Sequence, residues 1–436
     1  MRLTTSQITE VTNGELIGEE KEIAGVTQDS RNVTGGCLFV PLISERDGHS
    51  YINNALLSGA AAYLTQQNPM QGTAIRVENT SVALKELGQA ARFLLKNSVI
   101  GITGSVGKTS VKDMAHAVLS KKTLVHSSPD SYNNEIGVPL TLLNTPNSSH
   151  CVIVEMGAKK NGDISSLCKI AYPDIAVITT VVDSHIQDFG SIDNIAETKG
   201  EILDRLPSEG CAILNADVDQ VISQASRTRS KVLTFGNKGE VKASSVKVND
   251  DLKASFLLES PWGRIEVNLN VAGSHMVTNA EAAAAIGLVS GVPLSEIAQA
   301  LNQIELSPGR MEITSTVNGA TLINDSYNAN PTSMKAGIAS LASSSGVGRK
   351  IAVVGLMAEL GEKALISHTE VRDYADQLGI ELLAVDTDLY GTSHTYDVEE
   401  VISKILEMEL KIDDALLVKA SRVAGLERIV KAISRS

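Results

Sequence analysis

Apolar residues fall along this chain in short continuous runs, separated by stretches in which they recur at helical spacing. Over residues 1–97 the run 36-GCLFVPL-42 reads as a strand and residues 53–64 as a helix feeding a strand. The piece 82-VALKELGQAARFLLK-96 carries its apolar positions at helical spacing. A second region opens at 98-SVIGITGSVGKTS-110, where Val99–Thr103 forms a short buried strand and a helix continues from Thr109. Further strands are predicted at 151-CVIVEM-156, 175-IAVITTVV-182 and 211-CAILNA-216, with helical stretches between them. Such alternation predicts a largely parallel sheet with helices on both faces. From Val232 to Val271 the pattern changes to short β-like runs, and 279-NAEAAAAIGLVSG-291 is then a helix closed by Gly291. Near 308-PGRMEI-313 a third region begins. Strands are predicted at 320–325, 350–355, 381–386 and 415–420, each followed by a helix. The expectation is an α/β protein of three domains. They are a small α/β domain over 1–97, a central parallel-sheet domain over 98–307, and a doubly wound, Rossmann-like domain over 308–436. The 436 residues agree with about three domains of ~150 residues each.

Composition narrows the classes. Charged residues make up 20% and hydrophobic residues 43%, ordinary for a globular chain, while aromatics reach only 3%. The cores must therefore rest on Ala, Val, Ile and Leu. With 38 basic and 51 acidic residues the net charge is 38 − 51 = −13. That argues against nucleic acid or an anionic membrane as partner, so bound polyanions need local help. The four cysteines, Cys37, Cys151, Cys168 and Cys211, form no C-x-x-C pair and read as buried thiols in a reducing compartment. No apolar run follows the basic residue of 1-MRLTTSQITEVTNGEL-16, and no window has ~18 uninterrupted apolar residues. A cytoplasmic protein without membrane insertion is expected, and a monomer is the default, since nothing marks an interface.

The stretch 101-GITGSVGKTS-110 holds the chemistry most open to reading. It misses the G-x-x-x-x-G-K-[ST] spacing, because Ile102 stands where the first glycine would. A strand, a glycine-rich turn and a helix still make an anion site. The first amides of the helix are unpaired, and its dipole favours negative charge. Lys108 would supply a full charge to phosphates, and the Thr109 hydroxyl can reach a magnesium ion. Glu155, at the end of a neighbouring strand, is placed to bind metal or polarise water, or else to cap or pair locally. His185 follows another strand and emerges at the same sheet edge. Alone it reads as readily as a surface residue. Lys199, in 196-AETKGEI-202, reads alone as a solvated helical charge.

Taken together, these segments resemble a known family. The loop 103-TGSVGKTS-110, 131-SYNNEIGVPLTLL-143, 154-VEMGAKKNGDI-164, 196-AETKGEIL-203, Gly309-Arg310, 323-INDSYNANPTSM-334, 357-MAELG-361 and 417-LVKASR-422 resemble, in order and over the whole chain, the Mur ligases of peptidoglycan synthesis. The similarity is greatest to the type that adds D-alanyl-D-alanine to UDP-N-acetylmuramoyl-tripeptide. The resemblance implies a domain for the UDP end of the substrate, a central ATPase domain and a C-terminal domain that closes over ATP. It implies that ATP, two magnesium ions and an acyl-phosphate intermediate are used, with those two compounds as substrates.

Site residues follow by motif position. Gly104, Ser105, Val106, Gly107, Lys108, Thr109 and Ser110 would hold the phosphates, and Thr109, Glu155, His185 and a carbamylated Lys199 would serve the metals. Asn279 and Arg310 match positions at the adenine and γ-phosphate, while Asp325, Asn328 and Asn330 fold over the nucleotide. Asn133 and Asn134 would line the muramoyl-peptide channel, and Ser30 and Arg31 the uridine site. Lys108, Glu155, His185 and Lys199 carry the catalytic expectation. Leu356 stands where the family commonly has Asp. Two alternatives are weighed against this assignment. A related amide ligase, adding a diamino acid or extending a folate with glutamate, is disfavoured because no D-N-P-R string occurs. A non-catalytic nucleotide-binding scaffold is disfavoured because Glu155, His185 and Lys199 are all present.

Overall fold

The computed structural model describes residues 3–129, 132–183 and 189–435. Its organising element is a six-stranded, wholly parallel sheet in the order Lys231–Phe235, Cys211–Asn215, Ile175–Ile178, Ser98–Thr103, Cys151–Glu155, Val125–Ser127. Every residue of Cys151–Glu155 and of Ile175–Ile178 is buried. This explains their unbroken apolar runs, because a parallel strand is covered on both faces and has no polar side. The strand predicted over 175–182 ends at Ile178. The next residues turn into the phosphate loop, where the Thr179 amide donates to Thr103 O and the Ser105 amide to Thr180 O.

The β-like region after Val232 divides between two sheets. Lys231–Phe235 joins the edge of the parallel sheet, burying Leu233 and Phe235. Lys242–Val248, Lys253–Ser260 and Gly263–Ala272 form a separate antiparallel sheet. The alanine-rich helix starts three residues earlier than its pattern suggests, at Met276, and runs to Val289. Ala280 and Ala282–Ala285 are all buried. The helix lies so close to Lys108–Leu119 that a Cβ on Gly287 would sit 2.5 Å from a Val118 methyl. Small side chains are what permit that approach, and a helix buried on all sides has no polar stripe.

On the N-terminal side, a five-stranded sheet runs in the order Glu15–Ile17, Ala74–Arg76, Ala62–Thr65, Leu38–Phe39, Val26–Thr27. Only its first pair is antiparallel. Its long helix, Thr80–Leu94, packs on the central unit. Gly88 touches Pro139, and Arg92 donates to the carbonyls of Ala171 and Tyr172 and pairs with Asp174. The Asn144 side chain bonds both the amide and the carbonyl of Val26.

On the C-terminal side, a six-stranded sheet runs Glu312–Ser315, Thr321–Asn324, Ala415–Lys419, Lys350–Val354, Glu381–Val385, Thr395–Tyr396, and only its first pair is antiparallel. The Ser307 amide donates to Asp113, and Lys159–Glu359 and Lys363–Asp183 are ion pairs between the central and C-terminal parts. No helix among the described residues is long and apolar enough to cross a membrane.

Candidate active site

The loop after Ser98–Thr103 owes its shape to two glycines with positive φ. Gly104 has φ +148°, and a Cβ there would fall 1.9 Å from Thr179 Oγ1. Gly107, at φ +83°, caps helix Lys108–Leu119, and a Cβ there would fall 2.6 Å from Asn279 Oδ1. The neighbouring strand end fixes the turn. Thr179 Oγ1 donates to Val106 O at 2.6 Å, and Ser105 Oγ exchanges hydrogen bonds with the amide and carbonyl of Val182. Val106 thus contributes its backbone carbonyl to the turn. Lys108 Nζ donates to the carbonyls of Gly104 and Ser105. Burial lowers its pKa, Glu155 opposes the shift and Arg310 adds to it.

Behind the loop lies a buried network. Thr109 Oγ1 donates to Glu155 Oε2 at 2.7 Å, and Asn133 Nδ2 donates to Glu155 Oε1 at 2.9 Å. The Glu155 amide donates to Ser128 Oγ, and the Gly157 amide to Asn133 O. Glu155 is only 1% exposed. The Asn134 side chain accepts from the Ile136 and Gly137 amides, just ahead of helix Gly137–Leu143. Ser110 is buried on the first turn of its own helix. Thr109 and Glu155 offer hard oxygen donors beside a phosphate loop, a set that fits magnesium. No cluster of three or more His, Cys, Asp and Glu able to hold a metal occurs among the described residues. His185 lies outside them.

Lys199 departs from what its helical position suggested. It sits in the last turn of helix Ile192–Gly200 and is 4% exposed. No ion pair reaches its amine among the described residues. Its pKa is lowered to about 7, chiefly by burial and then by the Lys108 charge, with Asp163 and Glu201 opposing.

The C-terminal sheet presents three neighbouring strand ends to the same place. The segment 325–330 follows one strand. Asp325 pairs with Lys419 and accepts from the Met311 amide, Lys419 also holds Asn328 O, and Asn330 caps helix Pro331–Ala342 through a reciprocal pair with Ser333. Ser421 Oγ donates to Ala329 O and accepts from the Ala358 amide, tying the other two ends to the first. The Arg310 guanidinium lies 4.0 Å from the Tyr327 ring centroid, and its buried Nε has no hydrogen-bond partner. These strand ends and the phosphate loop enclose a cleft of about 930 Å³, which Lys85 of helix Thr80–Leu94 also lines.

The fold therefore brings Gly104, Ser105, Lys108, Asn133, Asn134, Lys199, Asn328 and Asn330 to one cleft. Asn279 and Arg310 stand beside it, at Gly107 and within electrostatic reach of Lys108. Ser30 and Arg31 are not among its lining residues. They follow strand Val26–Thr27, where Asp29 grips the Arg31 guanidinium at two points. Thr179, Lys419, Ser421 and Arg422 were not singled out from the sequence. Segment 417-LVKASR-422 carried the only signal for the last three, and nothing local marks Thr179.

The family model for the Mur ligase middle domain matches residues 102–287, and that for the Mur ligase glutamate ligase domain matches residues 309–422. A curated relative from Escherichia coli K12, named UDP-N-acetylmuramoyl-tripeptide--D-alanyl-D-alanine ligase, is 34% identical over all of this chain and 99% of its own. The chain belongs to the Mur ligase family. Among solved structures, this Mur ligase is similar to MurF from Acinetobacter baumannii, with TM-score 0.89, 28% identity and coverage of 99% and 98% of the two chains. It is also similar to the MurF ligase from Thermotoga maritima in complex with ADP, with TM-score 0.82, 27% identity and coverage of 94% and 96%.

Proposed function

We propose that this Mur ligase joins D-alanyl-D-alanine to UDP-N-acetylmuramoyl-tripeptide at the expense of ATP. The observation that carries the reading is the single cleft of about 930 Å³, which the phosphate loop, the Asn133–Asn134 segment and the C-terminal strand ends line together. Full-length likeness to a ligase of that name supports the choice of substrates. The tripeptide's terminal carboxylate attacks the γ-phosphorus, the bond to the bridging oxygen breaks, and ADP leaves. The dipeptide amine then adds to the acyl-phosphate carbon and loses a proton, and phosphate departs from the tetrahedral intermediate.

The protein's share is positioning and charge neutralisation. The amides of the 104–110 loop and Lys108 hold the phosphates, and Arg310 meets the charge at the γ-position. Asn279 stands at the adenine side, and Asp325, Asn328 and Asn330 close over the nucleotide. Asn133 and Asn134 orient the peptide. Thr109 and Glu155, with His185 and Lys199, would hold two magnesium ions, which supply charge neutralisation between two anionic reactants. Lys199 suits carbamylation, because carbon dioxide adds to a neutral amine with loss of one proton, and burial favours the neutral form. The resulting anion removes a buried cation from beside Lys108.

Residues 1–97, 98–307 and 308–436 act as separate domains in this reading, with Ser30 and Arg31 on the first taking the uridine end. One chain supplies the whole cleft, so a monomer suffices, and four unpaired buried cysteines fit the cytoplasm. The test is phosphate release from ATP with each substrate omitted in turn. Release should require both the UDP-linked tripeptide and the dipeptide. Equal turnover with a free diamino acid in place of the dipeptide would refute the reading.

A further inference from the structure

The segment 417-LVKASR-422 ends on a side chain that phosphate chemistry leaves unused. Arg422 lines the cleft from the C-terminal side, and its side chain is 63% exposed. Its backbone is fixed while its guanidinium is not. Ser421 is tied to Ala329 and Ala358, Arg422–Ala424 form one tight turn, and Gly425 closes it at φ +62°. Among the described residues the guanidinium meets one carboxylate, that of Glu427, through a single nitrogen at 3.4 Å. Its carbon also lies 5.6 Å from the Tyr327 ring centroid, on the ring that Arg310 approaches to 4.0 Å. An arginine held this way lines the cleft and keeps most of its side chain open to solvent.

The acceptor needs such a group. A dipeptide that attacks through its amine carries a carboxylate at its other end, about 7 Å away when extended. That anion must enter a cleft that also holds phosphates and the peptide's own carboxylate, so it needs a dedicated cation. The cations lining the cleft are Lys85, Lys108, Lys159, Lys160, Lys199 and Arg422. Lys108 and Lys199 belong to the phosphate side, and Lys159 is paired with Glu359. Lys85 and Lys160 come from the N-terminal and central parts, which the ligase reading above gives to the UDP-linked substrate. Arg422 alone comes from the C-terminal strand ends, and its fork matches a carboxylate at two points.

We infer that Arg422 is the specificity residue that binds the C-terminal carboxylate of the acceptor dipeptide, an inference that rests on the ligase reading above. It sets the orientation in which the amine faces the acyl phosphate. A free carboxylate is then a requirement of the acceptor, and an acceptor capped as an amide is a poor one.

The experiment compares D-alanyl-D-alanine with D-alanyl-D-alaninamide in the wild type, Arg422→Met and Arg422→Lys. Losing one charge-assisted pair should raise KM for the dipeptide in Arg422→Met by roughly 10- to 100-fold. KM for ATP and for the UDP-linked tripeptide should stay at wild-type values, which also shows the variant is folded. The wild type should discriminate against the amide by a similar factor, and that discrimination should collapse in Arg422→Met. Arg422→Lys should fall between, because it keeps the charge and loses the fork. Undiminished discrimination in Arg422→Met overturns the inference, as does a rise in KM for ATP equal to that for the dipeptide. A wild type that uses neither dipeptide form removes the ligase reading itself, and the inference with it.

Discussion

Replacing Gly104 by alanine tests how the phosphate loop is held. The new Cβ would lie 1.9 Å from Thr179 Oγ1, far inside contact distance, so the threonine must swing away. In doing so it gives up the 2.6 Å hydrogen bond to Val106 O, a loss of about 1 kcal/mol. Alanine must also adopt φ +148°, which costs about 1–3 kcal/mol. The sum is a destabilisation of about 2–4 kcal/mol, with the Val106 carbonyl released from the strand end beside it. Because that carbonyl and the Ser105 amide fix the turn, nucleotide affinity should fall about tenfold or more. The assay is urea unfolding together with calorimetric ATP binding, in both the native and the Thr179→Ala backgrounds. If the clash is the cause, alanine at 104 costs about 1 kcal/mol less where Thr179 is already gone, since the same hydrogen bond cannot be lost twice. An equal cost in both backgrounds, or unchanged ATP affinity, refutes the reasoning.

Two further outcomes are expected. Lys199→Ala should abolish ligation, and added short carboxylic acids should restore part of it by supplying an anion in the vacated space. Full activity in the bare variant would contradict the carbamate. Glu281 is 2% exposed and accepts from the Ala243 amide, and burial raises its pKa from 4.5 to about 7. Between those values the folded protein holds a proton that the unfolded chain has released, so this residue's contribution falls as pH rises through that window. Glu281→Gln should therefore match the wild type near pH 4.5 and exceed it by about 3 kcal/mol above pH 7. A stability difference that does not vary with pH over that range would count against the buried carboxyl.

Local pattern decided a good deal here. Residues 99–103 read as a covered strand, because a short, mostly apolar run bounded by the polar Lys96–Ser98 and a glycine turn fits a strand buried on both faces. Gly104, Gly107, Lys108 and Thr109 follow that strand as a glycine turn, a lysine and a hydroxyl, the order in which a strand–turn–helix can hold phosphate. The parallel sheets were legible for the same reason, since strands covered on both faces write themselves as continuous Val, Ile and Leu. What periodicity cannot report is the environment of a charge. Lys199 reads alone as a solvated helix residue, yet it faces the cleft under the phosphate loop, and Glu281, within the alanine-rich helix, lies under the antiparallel sheet's first strand. Their shifted pKa values come chiefly from burial, which the packing of segments distant in sequence imposes. The Thr109–Glu155–Asn133 network likewise joins three segments that no spacing rule connects. Arg422 gains meaning only when three strand ends of the C-terminal sheet meet the loop of the central one. Sequence fixes which groups a strand end can offer, because backbone geometry is local; tertiary packing decides which of those groups lose water and face one another, and charge chemistry depends on that.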